Sequence, residues 1–171
     1  MYSVQLYVNK VLGYIKTMGD NENLILKELG EKSATLIALS AASRSFDLLS
    51  LDTSLMVDEG TKVIFHIKGL SKTRRLGSSP PVVELYKFDE DPTLDHIACL
   101  NEYLTRTQMR RPVQGCQLFL SSNRPFKPVR SCTISGWLRD LMNKAGIDTE
   151  IWKPHTTRGA STSKSACPRR L

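Results

Sequence analysis

The spacing of apolar residues changes period twice along the chain, and this double switch limits the fold more than any other feature. Val4, Val8, Val11, Leu12 and Ile15 recur at helical spacing, so residues 4–18 are predicted to form an amphipathic helix. Gly19-Asp20-Asn21 supplies turn chemistry. A second helix is expected from about Asn23 to Ala42, with Leu26, Leu29, Ala34, Ile37 and Leu39 on its core face. Gly30 weakens the middle of that helix and marks a candidate break. A short helical turn, Ser45 to Ser50, follows Arg44 directly. The period then becomes that of a strand. Val63-Ile64-Phe65-His66-Ile67 and Val82-Val83-Glu84-Leu85-Tyr86 are rich in β-branched residues and flank a basic loop, Ser71 to Pro81. They predict a β-hairpin, with Ser54 to Val57 as a candidate third strand. His66 alternates along its strand and reads as structural.

Helical spacing returns after Asp91-Pro92-Thr93. Thr93 is the expected N-cap of a helix running to about Arg110, with Leu94, Ile97, Leu100 and Leu104 as its apolar stripe. Leu118-Phe119-Leu120 is a short apolar segment within a basic loop that continues through Arg124-Pro125-Phe126-Lys127-Pro128. Another helix starts near Ser131, places Ile134, Trp137, Leu138, Leu141 and Met142 on one face, and ends at Lys144-Ala145-Gly146. Trp137 reads as a core residue. A last helix is expected from around Thr156. The fold class is therefore α+β, mainly α, with one small antiparallel sheet inserted early. Residues 1–171 carry no repeat or linker that would divide them, and they read as one domain.

Charge adds a direction. The formal net charge is +7, but residues 104–171 alone carry thirteen basic and three acidic side chains, whereas residues 1–60 carry five and eight. Such asymmetry points to a polyanion partner on one side of the fold, although charge alone does not separate this from a basic surface kept for solubility. Apolar runs such as Leu36-Ile37-Ala38-Leu39 are far too short to span a bilayer, and no secretory signal pattern opens the chain. Cys99, Cys116, Cys132 and Cys167 never fall at C-x-x-C spacing, so free thiols in a reducing compartment are expected, not a zinc site. The expected protein is soluble and intracellular.

The sharpest motif is His155-Thr156-Thr157-Arg158, at the start of a predicted helix. Residues three apart share a helix face, and a helix N-terminus favours an anion, so His155 and Arg158 can address one ligand together. On its own H-x-x-R is a weak pattern. Its neighbours make it specific. Ala41-Ala42-Ser43-Arg44-Ser45-Phe46-Asp47-Leu48-Leu49-Ser50-Leu51 places an arginine before a leucine-lined helix, and Ile64-Phe65-His66-Ile67-Lys68-Gly69-Leu70-Ser71-Lys72-Thr73 places a lysine in the hairpin. In this order the segments resemble the catalytic domain of the tyrosine recombinases of phage-integrase type, from about residue 4 to residue 164. The tail from Gly146 to Ser163 is especially similar to recombinases of eukaryotic mobile elements of the DIRS and Crypton kind.

The resemblance implies a helical catalytic core whose small antiparallel sheet follows the first-arginine helix. It also implies phosphodiester transesterification in DNA, without metal or other cofactor, in a nuclear or otherwise intracellular setting. Arg44 and Arg158 would hold the two non-bridging oxygens of the scissile phosphate as bidentate forks, a geometry lysine cannot match. His155 would add a hydrogen bond or help deprotonate the attacking hydroxyl, and Lys72 would protonate the departing 5′ oxygen, with Lys68 and Arg74 as weaker candidates. Further phosphate contacts are expected from Lys72, Arg74, Arg75, Arg110, Arg111, Arg124, Lys127, Arg130 and Lys153, on double-stranded DNA and with a homo-oligomer assembled there.

Two departures matter. The separate N-terminal helical domain usual in such enzymes is not found in the sequence, and the nucleophilic tyrosine expected beyond the second arginine is missing. Tyr2, Tyr7, Tyr14, Tyr86 and Tyr103 all precede His155, and Pro168 would break a continuing helix. The expectation is a C-terminally truncated recombinase domain, inactive alone. A non-catalytic DNA-binding remnant of a mobile element is the alternative, and an unrelated basic helical protein that binds RNA or DNA is a third reading.

Overall fold

Helix α2 (Leu26–Ser40) is buried on every side from Leu29 to Leu39, which makes it the central helix of the fold. A computed structural model describes residues 4–41, 45–67, 82–111 and 117–149. Helix α1 (Val4–Thr17) lays Val8, Val11 and Ile15 on the core, as its period predicts. A single 3-10 turn, Asn21–Asn23, then leads to α2, so the second helix starts later than its apolar pattern predicts. Glu28 closes that start by accepting from the backbone N–H of Ile25 at 3.3 Å. Helix α3 is the short segment Ser45–Leu49.

Gly30 does not break α2. A Cβ there would stand 3.3 Å from the Trp137 ring and 3.4 Å from the Tyr103 ring. The glycine is a point of close approach for α4 (His96–Thr107) and α5 (Ser131–Lys144), both of which pack on α2. Trp137 is buried there, edge-on to Phe119 at 6.0 Å between centroids.

The three strands β1 (Met56–Asp58), β2 (Lys62–His66) and β3 (Val82–Tyr86) form one antiparallel sheet in the order β1-β2-β3. Val63 pairs with Leu85 and Phe65 with Val83. Strand alternation sends Val63, Phe65 and Leu85 into the core and leaves His66 exposed beside Val82. The sheet enters after α3, as the change of period predicts.

Between β3 and α4, two caps share the work expected of Thr93. Asp91 accepts from Thr93 N–H at 3.0 Å and opens a 3-10 turn, Pro92–Leu94. Asp95 then accepts from Ile97 N–H at 3.0 Å and caps α4. Helix α4 ends at Thr107 and tightens into a 3-10 turn, Gln108–Arg110. Helix α5 ends as its sequence predicts, with Gly146 at φ 74° in the left-handed C′ position. No described helix is long and apolar enough to cross a membrane. Of the cysteines, Cys99 is buried, its thiol pushed up to about 12 by that burial, and Cys132 is exposed.

Candidate nucleic-acid interface

The segment from Gln117 to Arg130 combines a buried base with a basic tip. Leu118, Phe119, Leu120 and Val129 are all buried. Val129 N–H donates to Phe119 O at 3.1 Å and Ser121 N–H to Lys127 O at 2.8 Å, closing a loop whose ends meet at the Leu120–Pro128 bridge. Tyr103, on α4, fixes this base from behind. Its hydroxyl donates to Leu120 O at 3.2 Å and accepts from Leu120 N–H at 3.0 Å. The tip is opposite in character: Asn123, Arg124, Pro125, Lys127 and Pro128 are exposed.

Two consecutive arginines meet this loop differently. Arg111 turns inward, donating to Gln117 O at 3.1 Å, to Leu118 O at 2.7 Å and to the Thr107 hydroxyl from Nε and Nη2. It ties the end of α4 to the loop base. Arg110 stays exposed, with its Cζ 4.6 Å from the centroid of the Phe126 ring. Phe126 sits at φ 55°, in the left-handed region, after a turn in which its N–H donates to Asn123 O at 2.9 Å.

Among the described residues, Arg110, Arg124, Lys127 and Arg130 face no carboxylate. No acidic residue lies in sequence between Glu102 and Asp140. Arg130 is the N-cap of α5, whose first turn also lacks an acid, so the positive end of the helix dipole adds to the local field. Arg106 is not part of this set. It pairs with Glu102 at 2.7 Å and donates to backbone carbonyls of Asn21, Glu22 and Leu24, holding the α1–α2 connection to α4.

Several cations elsewhere are matched. Lys16 meets Asp91 at 2.7 Å, and hydrogen bonds from Lys16 and Thr93 hold that carboxyl down at about 2. Glu31, buried on α2, meets Lys144 at 3.2 Å and Lys27 at 3.5 Å. Its neighbour Lys32 is also buried, donates to Gly19 O at 3.2 Å, and has its pKa lowered by burial.

Arg44, Lys72, Arg74, Arg75, Lys153, His155 and Arg158 lie outside the described residues. Of the expected phosphate contacts, the structure therefore brings together Arg110 with the Arg124–Lys127 loop, sets Arg130 at the start of α5, and directs Arg111 into the protein. The sequence reading missed Phe126 and Tyr103. The signal for Phe126 was present, as an aromatic between two prolines in a basic run. Tyr103 offered none, because its role is set by a segment distant in sequence.

No family model and no curated protein sequence matches the chain. Solved structures do. XerH site-specific recombinase bound to difH substrate, in a pre-cleavage complex, matches with TM-score 0.67 and 20% identity over 94% of this chain and 42% of XerH. The post-cleavage complex of XerH with palindromic difH gives TM-score 0.66 at 20% identity, covering 92% of this chain and 39% of XerH. XerA recombinase gives TM-score 0.54 at 22% identity, covering 82% of this chain and 47% of XerA. The chain thus spans less than half the length of these recombinases. Its mainly helical architecture with one small antiparallel sheet is the fold of a tyrosine recombinase catalytic domain.

Proposed function

We propose that residues 1–171 are a DNA strand-exchange domain of the tyrosine recombinase family, of the DIRS and Crypton kind, that acts as a homo-oligomer on double-stranded DNA. One observation carries the reading. The fold likeness to XerH runs along 94% of the chain, and it is supported by the sequence alone, in which Arg44, Lys72 and His155-x-x-Arg158 follow one another in the order that the resemblance implies. In sequence, Arg44 lies between α2 and α3, Lys72 between β2 and β3, and His155 and Arg158 after α5.

The chemistry of this reading is electrostatic. As phosphorus becomes five-coordinate, negative charge grows on two non-bridging oxygens. Arg44 and Arg158 bind them, His155 adds a donor, and Lys72 gives its proton to the departing 5′ oxygen. Each preorganised donor lowers the barrier by about 3–4 kcal/mol, by analogy with oxyanion-hole deletions. The basic loop and Arg110 supply affinity along the duplex, since phosphate contacts dominate sequence-independent binding.

A non-catalytic DNA-binding module is the second reading, favoured by the exposed cations Arg110, Arg124, Lys127 and Arg130, which meet no carboxylate among the described residues. Within residues 1–171 Tyr103 offers no nucleophile, because its hydroxyl is buried and bonded on both sides by Leu120. The chain alone is therefore expected to bind duplex DNA without forming a covalent adduct. A nicked suicide substrate, resolved on a denaturing gel, tests this with and without an added tyrosine-containing C-terminal fragment. A band only with the fragment supports a phosphate clamp that takes its nucleophile from outside these residues. No band in either case favours the binding module. A band from the chain alone means that another nucleophile does the work and that the assigned site is wrong.

A further inference from the structure

Phe126 is an aromatic side chain in an uncommon place. It belongs neither to the buried core nor to the partly buried apolar residues packed against it. Its backbone sits at φ 55°, a region where glycine is at ease and a bulky residue is rare. A backbone held there against its preference directs attention to what the side chain does. The ring lies against the Arg110 guanidinium, 4.6 Å from its Cζ.

This contact differs in kind from an ion pair. A carboxylate would occupy the N–H donors of Arg110 and cancel its charge. An aromatic face instead attracts the cation through the ring quadrupole and leaves the in-plane donors open. The stack thus restrains the arginine without neutralising it, at a position where no carboxylate competes among the described residues. Both partners have a fixed base: the 3-10 turn Gln108–Arg110 follows α4 directly, and the loop is closed by the Leu120–Pro128 bridge.

We propose that Phe126 is a positioning residue for Arg110, stacking on its guanidinium so that the donor edge meets a backbone phosphate of duplex DNA. The proposal rests on the DNA-binding reading above for its ligand, but not for the stack itself.

The test uses the full chain with duplex DNA and, separately, heparin, a sulfated polyanion unrelated to DNA. Affinity is measured across a salt series for wild type, Arg110→Ala, Phe126→Gly, Phe126→Tyr and the double variant Arg110→Ala/Phe126→Gly, with thermal melting alongside. Phe126→Gly removes the ring and suits the backbone angle, so it should melt no lower than wild type. We expect it to weaken binding about three- to tenfold and to add almost nothing in the Arg110→Ala background, the mark of two residues acting as one. Phe126→Tyr keeps the ring and should bind like wild type. Additive losses, or undiminished binding by Phe126→Gly, would overturn the positioning role. Coupling seen with heparin when wild type ignores duplex DNA would sink the DNA reading and sustain the stack. Failure of wild type to bind either polyanion would remove both.

Discussion

Around α2, Glu31 meets Lys144 at 3.2 Å and Lys27 at 3.5 Å, and nearby Lys16 meets Asp91 at 2.7 Å. Along residues 108–130, by contrast, Arg110, Arg124, Lys127 and Arg130 meet no carboxylate among the described residues. In the first region charge is spent inside the molecule, joining α2 to α5 and α1 to the turn before α4. In the second it is left facing outward on a loop whose base is as dry as the core. The contrast separates two uses of one residue type. It also explains why a net charge of +7 says less than where its members find partners.

The largest effect should come from cutting the tie between core and loop. Tyr103→Ala empties a buried site and leaves the backbone N–H of Leu120 without its partner, at about 3–5 kcal/mol. Chemical denaturation would read this loss, and an unchanged midpoint would mean that the basic loop does not depend on α4.

Next is the combined replacement of Arg110, Arg124, Lys127 and Arg130 by alanine. If each neutralises one phosphate, the slope of log affinity for duplex DNA against log salt should flatten by about 3–4, with the melting temperature little changed. Lys16→Ala and Lys87→Ala, which remove paired cations, are the controls and should leave the slope alone. Equal flattening by the controls would erase the contrast between the two regions.

The neighbouring arginines sharpen it further. Arg111→Ala orphans the Gln117 and Leu118 carbonyls and should destabilise by about 1–3 kcal/mol without altering the salt slope. Arg110→Ala should do the reverse, flattening the slope by about 1 at unchanged stability.

The smallest effect is one of pH, in the internally paired region. His96 is buried at the first position of α4, where the helix dipole also opposes a positive charge, and its Nε2 has no hydrogen-bond partner among the described residues. Burial lowers its folded pKa, only partly offset by Asp95. The unfolded chain therefore binds the extra proton first, and stability falls as pH drops below the free-histidine value of about 6.5. Melting curves between pH 7.5 and 5.5 should show a decline that His96→Asn flattens. Parallel curves for the two proteins would remove His96 as its source.

The switch from helical to strand period was enough to place the sheet after α3, and the run of β-branched and aromatic residues set β3 to the residue. The end of α5 was equally plain, with a basic last turn and a glycine beyond it. Gly30 was misleading for a physical reason. Propensity registers what a glycine lacks, whereas the use made of that lack belongs to Trp137 and Tyr103, over seventy positions away in sequence. The start of α4 was ambiguous because Asp91, Thr93 and Asp95 are all competent caps, and only the chain path chooses between them. At the site, Arg110 and Arg111 are interchangeable on paper. What divides them is the segment that folds back against one and not the other. The motif residues Arg44, Lys72, His155 and Arg158 rest on the sequence argument, since they lie outside the described residues.

The way the Gln117–Arg130 segment is built has a consequence for how such a molecule can change over generations. Its base is held by backbone hydrogen bonds and buried apolar side chains, while its tip contributes almost nothing to packing. Substitutions at Asn123, Arg124 or Lys127 are therefore close to neutral for folding and are filtered almost wholly by their effect on the partner. A lineage could rewrite the charge and reach of this loop without passing through an unstable intermediate. Leu118, Phe119 and Leu120 have no such freedom. A few residues thus separate the part of the chain that can explore new targets from the part that must stay the same to keep a fold at all.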